Sequence, residues 1–345
     1  MRSYFNNIIG NTDIKQHIGR AVEDGALHHA ILLCGPRGSG KRTLATEIAA
    51  AILCENKSSP SHTIPCGVCN TCRRVREGKH LDVKYIAKDS SRATISVDEV
   101  RRFKGDSILS GAEDDFRFYI FENAEALTVG AQNSILKILE EPPRGVYFIL
   151  LSEGQDKLLT TISSRVQRFY LQTFSQKETA EHVTRLSRKA AMLKLQDPDG
   201  FHGAIAASGG TIGRALELIE SDEISVISDR LARVRDLIGV FSAKTPYTDI
   251  KARISALPSG RAEIVEMLED VLCAIGDLLG SKYSRSKETL IYKDSEEARA
   301  VLNSIGVKKA LCAYEVINYA LGQAKSNVSA QNITNTLISK IVMMR

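Results

Sequence analysis

Residues 30–54 read AILLCGPRGSGKRTLATEIAAAILC, and this stretch sets the fold. Ala30-Ile31-Leu32-Leu33-Cys34 is a short continuous apolar run, the mark of a strand buried on both faces. Gly35 to Lys41 then spells G-x-x-x-x-G-K. A helix is predicted over Lys41–Leu53, with Leu44, Ile48 and Ile52 four residues apart on one side. Strand, glycine loop, lysine and helix in that order give the motif its meaning. Glycines let successive backbone N–H groups curl around phosphate oxygens, and the helix N-terminus adds a favourable dipole. Gly35, Gly38, Gly40 and Lys41 are therefore the candidate phosphate contacts, with Thr43 as a further candidate. The alternative is a glycine-rich turn that holds no ligand.

Working outward, strands are predicted at Val83–Ala87, Phe118–Phe121 and Tyr147–Leu151. Ser96, followed three residues on by Glu99, reads as a helix start. Another helix spans about Gly130–Glu141 and stops at Pro142-Pro143. Strands alternating with helices over residues 1–170 predict an α/β module whose parallel sheet is covered on both faces. Past Tyr170 the strand signals stop. Residues 175–220 read as helical, broken at Gly209-Gly210. Ile264, Met267, Leu268, Val271, Leu272, Ile275, Leu278 and Leu279 keep helical spacing, and helices are also expected at 226–240, 295–305, 308–322 and 329–343. KTPYTD (244–249) and the polar stretch 279–297 read as linkers.

Composition narrows the class. The chain has 345 residues, enough for two or three domains, with 43% hydrophobic and 25% charged residues. No apolar run approaches the ~20 residues that span a bilayer. The N-terminus lacks the apolar segment of a secretory signal, so a cytoplasmic location is expected. Net charge is 46 − 41 = +5, compatible with contact to nucleic acid.

Two positions depart from a hydrolytic loop. The residue after the loop lysine must offer a hydroxyl to Mg²⁺, and here it is Arg42. A guanidinium has no lone pair for a metal. Thr43 lies about 100° further round the helix and does not substitute. At the end of the Phe118 strand, Glu122 takes the place of the metal-binding acid and Asn123 that of the base. An amide does not take a proton from water at neutral pH. Glu125, three residues beyond Glu122, reads as an ordinary solvated side chain.

Cys54, Cys66, Cys69 and Cys72 are spaced C-x11-C-x2-C-x2-C. Four thiolates suit tetrahedral Zn²⁺, and a closed set leaves no position for water, so the role is structural. Arg73, Arg74, Arg76 and Lys79 follow and offset the charge of such a centre. A redox pair or four free thiols are the alternatives. His62 reads as a surface residue, and Cys34, Cys273 and Cys312 as small core residues.

Several segments resemble one family. Phe5-Asn6-Asn7-Ile8-Ile9-Gly10-Asn11, Leu27-His28-His29-Ala30 before the loop, the four-cysteine insertion at 54–80, Asn133–Pro143 with its closing Glu-Glu-Pro-Pro, Ile162-Ser163-Ser164-Arg165-Val166 and Gly213-Arg214-Ala215-Leu216 are together similar to bacterial clamp-loader subunits of the AAA+ class, of the delta-prime type. Val166 stands where that family's Ser-Arg motif carries Cys, and Asn327-Val328 fits the start of its last helix.

The resemblance implies an AAA+ module over 1–170, a helical lid over 171–225 and a helical collar over 226–345. It implies partners: gamma/tau and delta subunits, a sliding clamp and primed DNA. It implies that Arg165 is an arginine finger acting on a neighbour's ATP site. Ser152 matches a sensor contact to a γ-phosphate, although a strand-end cap explains it equally well, and Arg214 matches a lid contact to nucleotide. Lys137 is a candidate for DNA phosphate. ATP or ADP is the implied ligand of the loop. Two functional readings stay open: a partner subunit of the DNA polymerase III clamp loader with a degenerate loop, and a gamma/tau-like ATPase motor.

Overall fold

Five strands form one parallel sheet: β1 (Ala30–Cys34), β2 (Val83–Ile86), β3 (Arg117–Phe121), β4 (Val146–Ser152) and β5 (Gln167–Tyr170), in the order β2-β3-β4-β1-β5. The computed structural model describes residues 2–59, 63–87, 94–98, 100, 115–154, 158–221, 224–242, 245–283, 292, 295–326 and 328–344. His62, Glu99 and Asn327 lie outside these, as does part of the stretch 279–297. The described chain forms two compact units, Met1–Thr173 and Phe174–Arg345.

In the first unit, the unbroken apolar run of β1 has a direct cause. Successive side chains point to opposite faces, and both faces are covered. Ile31 and Leu33 share a core with Leu44 and Ile48 of α2 (Lys41–Leu53). Ala30, Leu32 and Cys34 share another with Ala131, Ile135 and Leu139 of α4 (Val129–Glu140). β3 divides the same way, Phe118 and Ile120 to the first core, Tyr119 and Phe121 to the second. Aromatic pairs then tie β3 to β4: Phe118 stacks on Tyr147 at 5.1 Å and Tyr119 on Phe148 at 5.6 Å between centroids. α1 (Thr12–Glu23), α3 (Asn70–Arg76) and the single turn α5 (Thr160–Ser163) are further helices of this unit, with a 3₁₀ turn at Ala124–Ala126.

The second unit is all helix among the described residues: α6 (Gln176–Leu186), α7 (Arg188–Gln196), α8 (Pro198–Ala207), α9 (Ile212–Glu220), α10 (Ile224–Gly239), α11 (Tyr247–Ser255), α12 (Arg261–Tyr283), α13 (Ser295–Ile305), α14 (Val307–Lys325) and α15 (Ala330–Met343). Ser175 and Glu178 close a capping box at the start of α6. Gly210 sits at φ 76°, and a Cβ there would lie 2.3 Å from the Phe174 carbonyl oxygen, so only glycine permits the Phe174 N–H bond to Gly210 O at 2.8 Å. One continuous apolar core runs from Val183 to Ile341. Cys273 and Cys312 are not part of it: Cys273 is exposed and Cys312 half-buried. Both lie one position off the apolar stripes that Val271, Ala274 and Leu278 of α12 and Ala310, Ala313 and Ile317 of α14 direct inward. No described helix is long and apolar enough to cross a membrane.

Candidate nucleotide site and metal centre

The order of the strands puts the loop in the middle of the sheet. β1 lies between β4 and β5, so Gly35 leaves β1 beside the end of β4, where its N–H bonds Ser152 O at 3.1 Å. The Leu171 N–H closes the other side on Cys34 O at 2.8 Å. Gly38 (φ 81°) and Gly40 (φ 92°) take the left-handed conformations that curl the loop, and Gly40 caps α2. A Cβ on Gly35 would meet Ser39 Oγ at 2.8 Å. Ser39 Oγ itself is buried and has no hydrogen-bond partner among the described residues. Lys41 Nζ donates to Gly35 O at 2.6 Å and Pro36 O at 2.9 Å, folded onto the loop's own carbonyls. A tight glycine cradle, an unspent buried hydroxyl and an ammonium resting on loop oxygens fit a nucleotide's phosphates.

Divalent metal does not fit the same place. Arg42 Nε pairs with Glu122 Oε1 at 3.0 Å, and its guanidinium lies 5.0 Å from the centre of the Tyr85 ring. Tyr85 is fixed in turn, its hydroxyl 2.7 Å from Thr46 Oγ1 on α2. The cation thus stands between the first turn of α2 and the acidic end of β3, where a metal would have to bridge. Arg42 is well exposed, so the pair is worth no more than about 1 kcal/mol. Its effect is positional: the carboxylate already has a counter-ion. Thr43 is exposed. Asn123 sits in the left-handed region at φ 53°, which asparagine tolerates, and its carbonyl accepts the Ala126 N–H at 2.8 Å. Glu125 is not a fully solvated side chain: it is half-buried, with Oε2 buried and without a hydrogen-bond partner.

The remaining sequence candidates fall as follows. Ser152 is buried at the strand end beside the loop, with its hydroxyl donating to Gly154 O at 2.8 Å. Arg165 lies two residues before β5, at the opposite end of the sheet from the loop. Gln167 pairs with Ile31 and Tyr170 with Cys34, so roughly 15–20 Å of strand separates Arg165 from Gly35 at ~3.3 Å per residue. Arg165 rests on Glu140, Nε to Oε1 at 2.6 Å, and on Thr161 O at 2.9 Å. In the second unit, Arg214 opens α9 and pairs with Glu217 at 3.1 Å. Lys137 is on the last turn of α4.

The cysteine centre sits at the far end of α2. Cys54 caps that 13-residue helix, about 20 Å of helix rise from the loop, and Cys69 caps α3. The four sulfurs of Cys54, Cys66, Cys69 and Cys72 all lie within 4.8 Å of one another. Backbone N–H groups point at them: Cys66 N to Cys54 Sγ at 3.5 Å, Cys69 N to Cys66 Sγ and Cys72 N to Cys69 Sγ at 3.4 Å. Such donors favour thiolate and orient ligands. Burial pushes the Cys54 and Cys72 thiols up. Burial also opposes ionisation of Cys66, but N–H groups of Cys69 and Val68 and the Asn56 amide outweigh it and bring this thiol down to about 6. The chemistry of the set fits a tetrahedral thiophilic ion.

Sequence reading missed the clamp that fastens this centre to α2. Glu47 is buried at 2% exposure amid the helix's alanines and takes Arg76 of α3 in a two-pronged pair, Nε at 2.6 Å and Nη2 at 2.8 Å. The signal was available: a lone carboxylate on an otherwise apolar helix side needs a cation. Of the arginines expected to offset the cysteines, Arg76 is the one committed to Glu47, while Lys79 pairs with Glu77. Arg76→Ala strands the Glu47 charge in the core and should cost about 3 kcal/mol in a urea melt, whereas Lys79→Ala, whose partner Glu77 is exposed, should leave the melt unchanged.

Residues 10–175 match the family model described as DNA polymerase III, delta subunit. The chain is 28% identical over 307 residues to DNA polymerase III subunit tau of Bacillus subtilis, covering 88% of this chain and 53% of that one. It is 31% identical over 247 residues to subunit gamma of Buchnera aphidicola, covering 71% and 66%. The chain is thus similar to gamma, tau and delta subunits of DNA polymerase III. It spans between about half and two thirds of the length of these relatives. A gamma subunit-related protein from Thermotoga maritima is similar over 96% of this chain and 99% of its own, at 16% identity and a TM-score of 0.44. The relatives carry gamma and tau names and the family model a delta name.

Proposed function

We propose that this chain is a delta-prime-type subunit of the DNA polymerase III clamp loader, assembling in a ring with gamma/tau and delta subunits to place the sliding clamp on primed DNA. Residues 1–170 act as its AAA+ module, 171–225 as the lid and 226–345 as the collar. The observation that carries this reading is Arg42 on Glu122 at 3.0 Å, which fills the bridge a hydrolytic Mg²⁺ would need. The separation of Arg165 from the chain's own loop along β5 supports the second half: a guanidinium at the opposite end of the sheet serves a neighbour's phosphates and not its own. Lys41 and the glycine cradle let the loop hold ATP or ADP without turning it over. Ser152 and Arg214 are the proposed nucleotide contacts from β4 and the lid, and Zn²⁺ in the four cysteines holds the insertion in shape.

The relatives' gamma and tau names, with the intact Lys41 loop, favour a second reading, an ATPase motor. Turnover by the purified chain separates the two. The proposal expects hydrolysis far below the ~1 s⁻¹ at the low end of enzyme rates. A rate near that value, lost in Lys41→Ala, makes the chain a motor.

A further inference from the structure

The mismatch between the loop and magnesium has a consequence for binding itself. In a hydrolytic loop the metal does two things: it neutralises β- and γ-phosphate charge, and it links those oxygens to the acid at the neighbouring strand end. Here both ends of that link are already occupied. The hydroxyl position holds Arg42, and the acid, Glu122, is ion-paired to it, Oε1 lying 3.0 Å from Arg42 Nε. Tyr85 lies against the guanidinium at 5.0 Å, and Thr46 fixes the tyrosine from α2, so the cation is backed by a packed ring. Arg42 therefore places a permanent guanidinium one residue beyond Lys41, where it neutralises Glu122 as a metal would. It also removes the ligand set that would make a divalent ion favourable.

We infer that the loop of this chain takes a nucleoside di- or triphosphate without a divalent cation, with Arg42 as the fixed charge in the metal's place. The inference rests on the reading of Gly35–Lys41 as a phosphate site. It goes further in assigning Arg42 a role: the residue sets metal independence. Metal and guanidinium compete for one position, between α2 and Glu122. Binding should accordingly weaken with salt, as a charge–charge contact does, and ignore chelators.

The test is a titration of the full chain with mant-ADP, once in excess EDTA and once in millimolar Mg²⁺. The expected result is the same dissociation constant within about twofold in both, since no metal is linked to binding. In Arg42→Thr, which restores a hydroxyl and frees Glu122, the affinity should become metal-dependent, by about tenfold or more between the two buffers. Arg42 is exposed, so Arg42→Thr should melt with the wild type, which a thermal melt run beside the titration checks. Wild-type binding only with Mg²⁺ overturns the inference and leaves the phosphate site standing. Equal affinities in both buffers for Arg42→Thr overturn the role of Arg42. No binding in either buffer overturns the phosphate site itself, and the inference with it.

Discussion

Arg165→Ala should leave the chain folded and lower ATP turnover at the neighbouring site of a reconstituted complex by about a thousandfold, at the lower end of what an arginine finger supplies. The folding half follows from its contacts. Arg165 is partly exposed; it holds Glu140 and the Thr161 carbonyl at the surface. Exposed pairs of this kind are worth at most about 1 kcal/mol. The rate half follows from geometry and charge. A guanidinium always carries its charge and offers a planar fork of donors, which matches the oxygens of a phosphoryl group in transfer. Thousandfold in rate is about 4 kcal/mol. Releasing Glu140 costs much less, so its pairing with Arg165 in the free chain is compatible with the proposed role. Arg165→Lys should recover little, because one ammonium does not reproduce the fork. Glu140→Gln should change turnover by only a few-fold. The measurement is single-site turnover in the complex, beside a melt of each variant. Unchanged turnover in Arg165→Ala removes the residue from the reaction.

Where burial is two-sided, the residues announce it. β1 and α2 lie where the run AILLC and the spacing of Leu44, Ile48 and Ile52 put them, because every one of those side chains is enclosed. β5 was not legible. Gln167-Arg168-Phe169-Tyr170 is four residues at the sheet edge with only Phe169 buried, so it lacks the apolar run that marked the others. α11 (Tyr247–Ser255) was not read as a helix: its first three residues fall in the stretch 244–249 read as linker, and Ile250 and Ile254 are its only deeply buried residues. The loop and the cysteines could be read because their chemistry is local in sequence. The contacts that qualify them were not. Arg42 with Glu122 and Glu47 with Arg76 join residues 80 and 29 positions apart, and Tyr85, under Arg42, carries no motif at all. A motif names the atoms available; only the packing shows which of them are already engaged.

The cysteine centre gives the second large effect. Purified chain should contain about one zinc per molecule by elemental analysis, as four thiolate ligands require. Cys72→Ser should abolish it. Cys72 is fully buried against α2, in the same core as Ile48, Cys54 and Val75. Replacing it leaves three ligands and a hydroxyl in apolar surroundings. Metal binding in isolated zinc peptides is worth ~10–16 kcal/mol because it is their folding energy. Here the sheet and α2 form a core of their own, so the expected loss is smaller, about 3–5 kcal/mol. At ~2–4 °C per kcal/mol for a unit of this size, the first transition should fall by about 10 °C. Lys41 should notice little of this, because α2 carries the loop ~20 Å from the metal. Zinc-free Cys72→Ser should therefore still bind mant-ADP at low temperature. Wild-type chain that is folded, free of zinc and carries four thiols reactive to a titrant would refute the centre. A zinc-free variant that melts with wild type would show that the ion, though bound, holds nothing together.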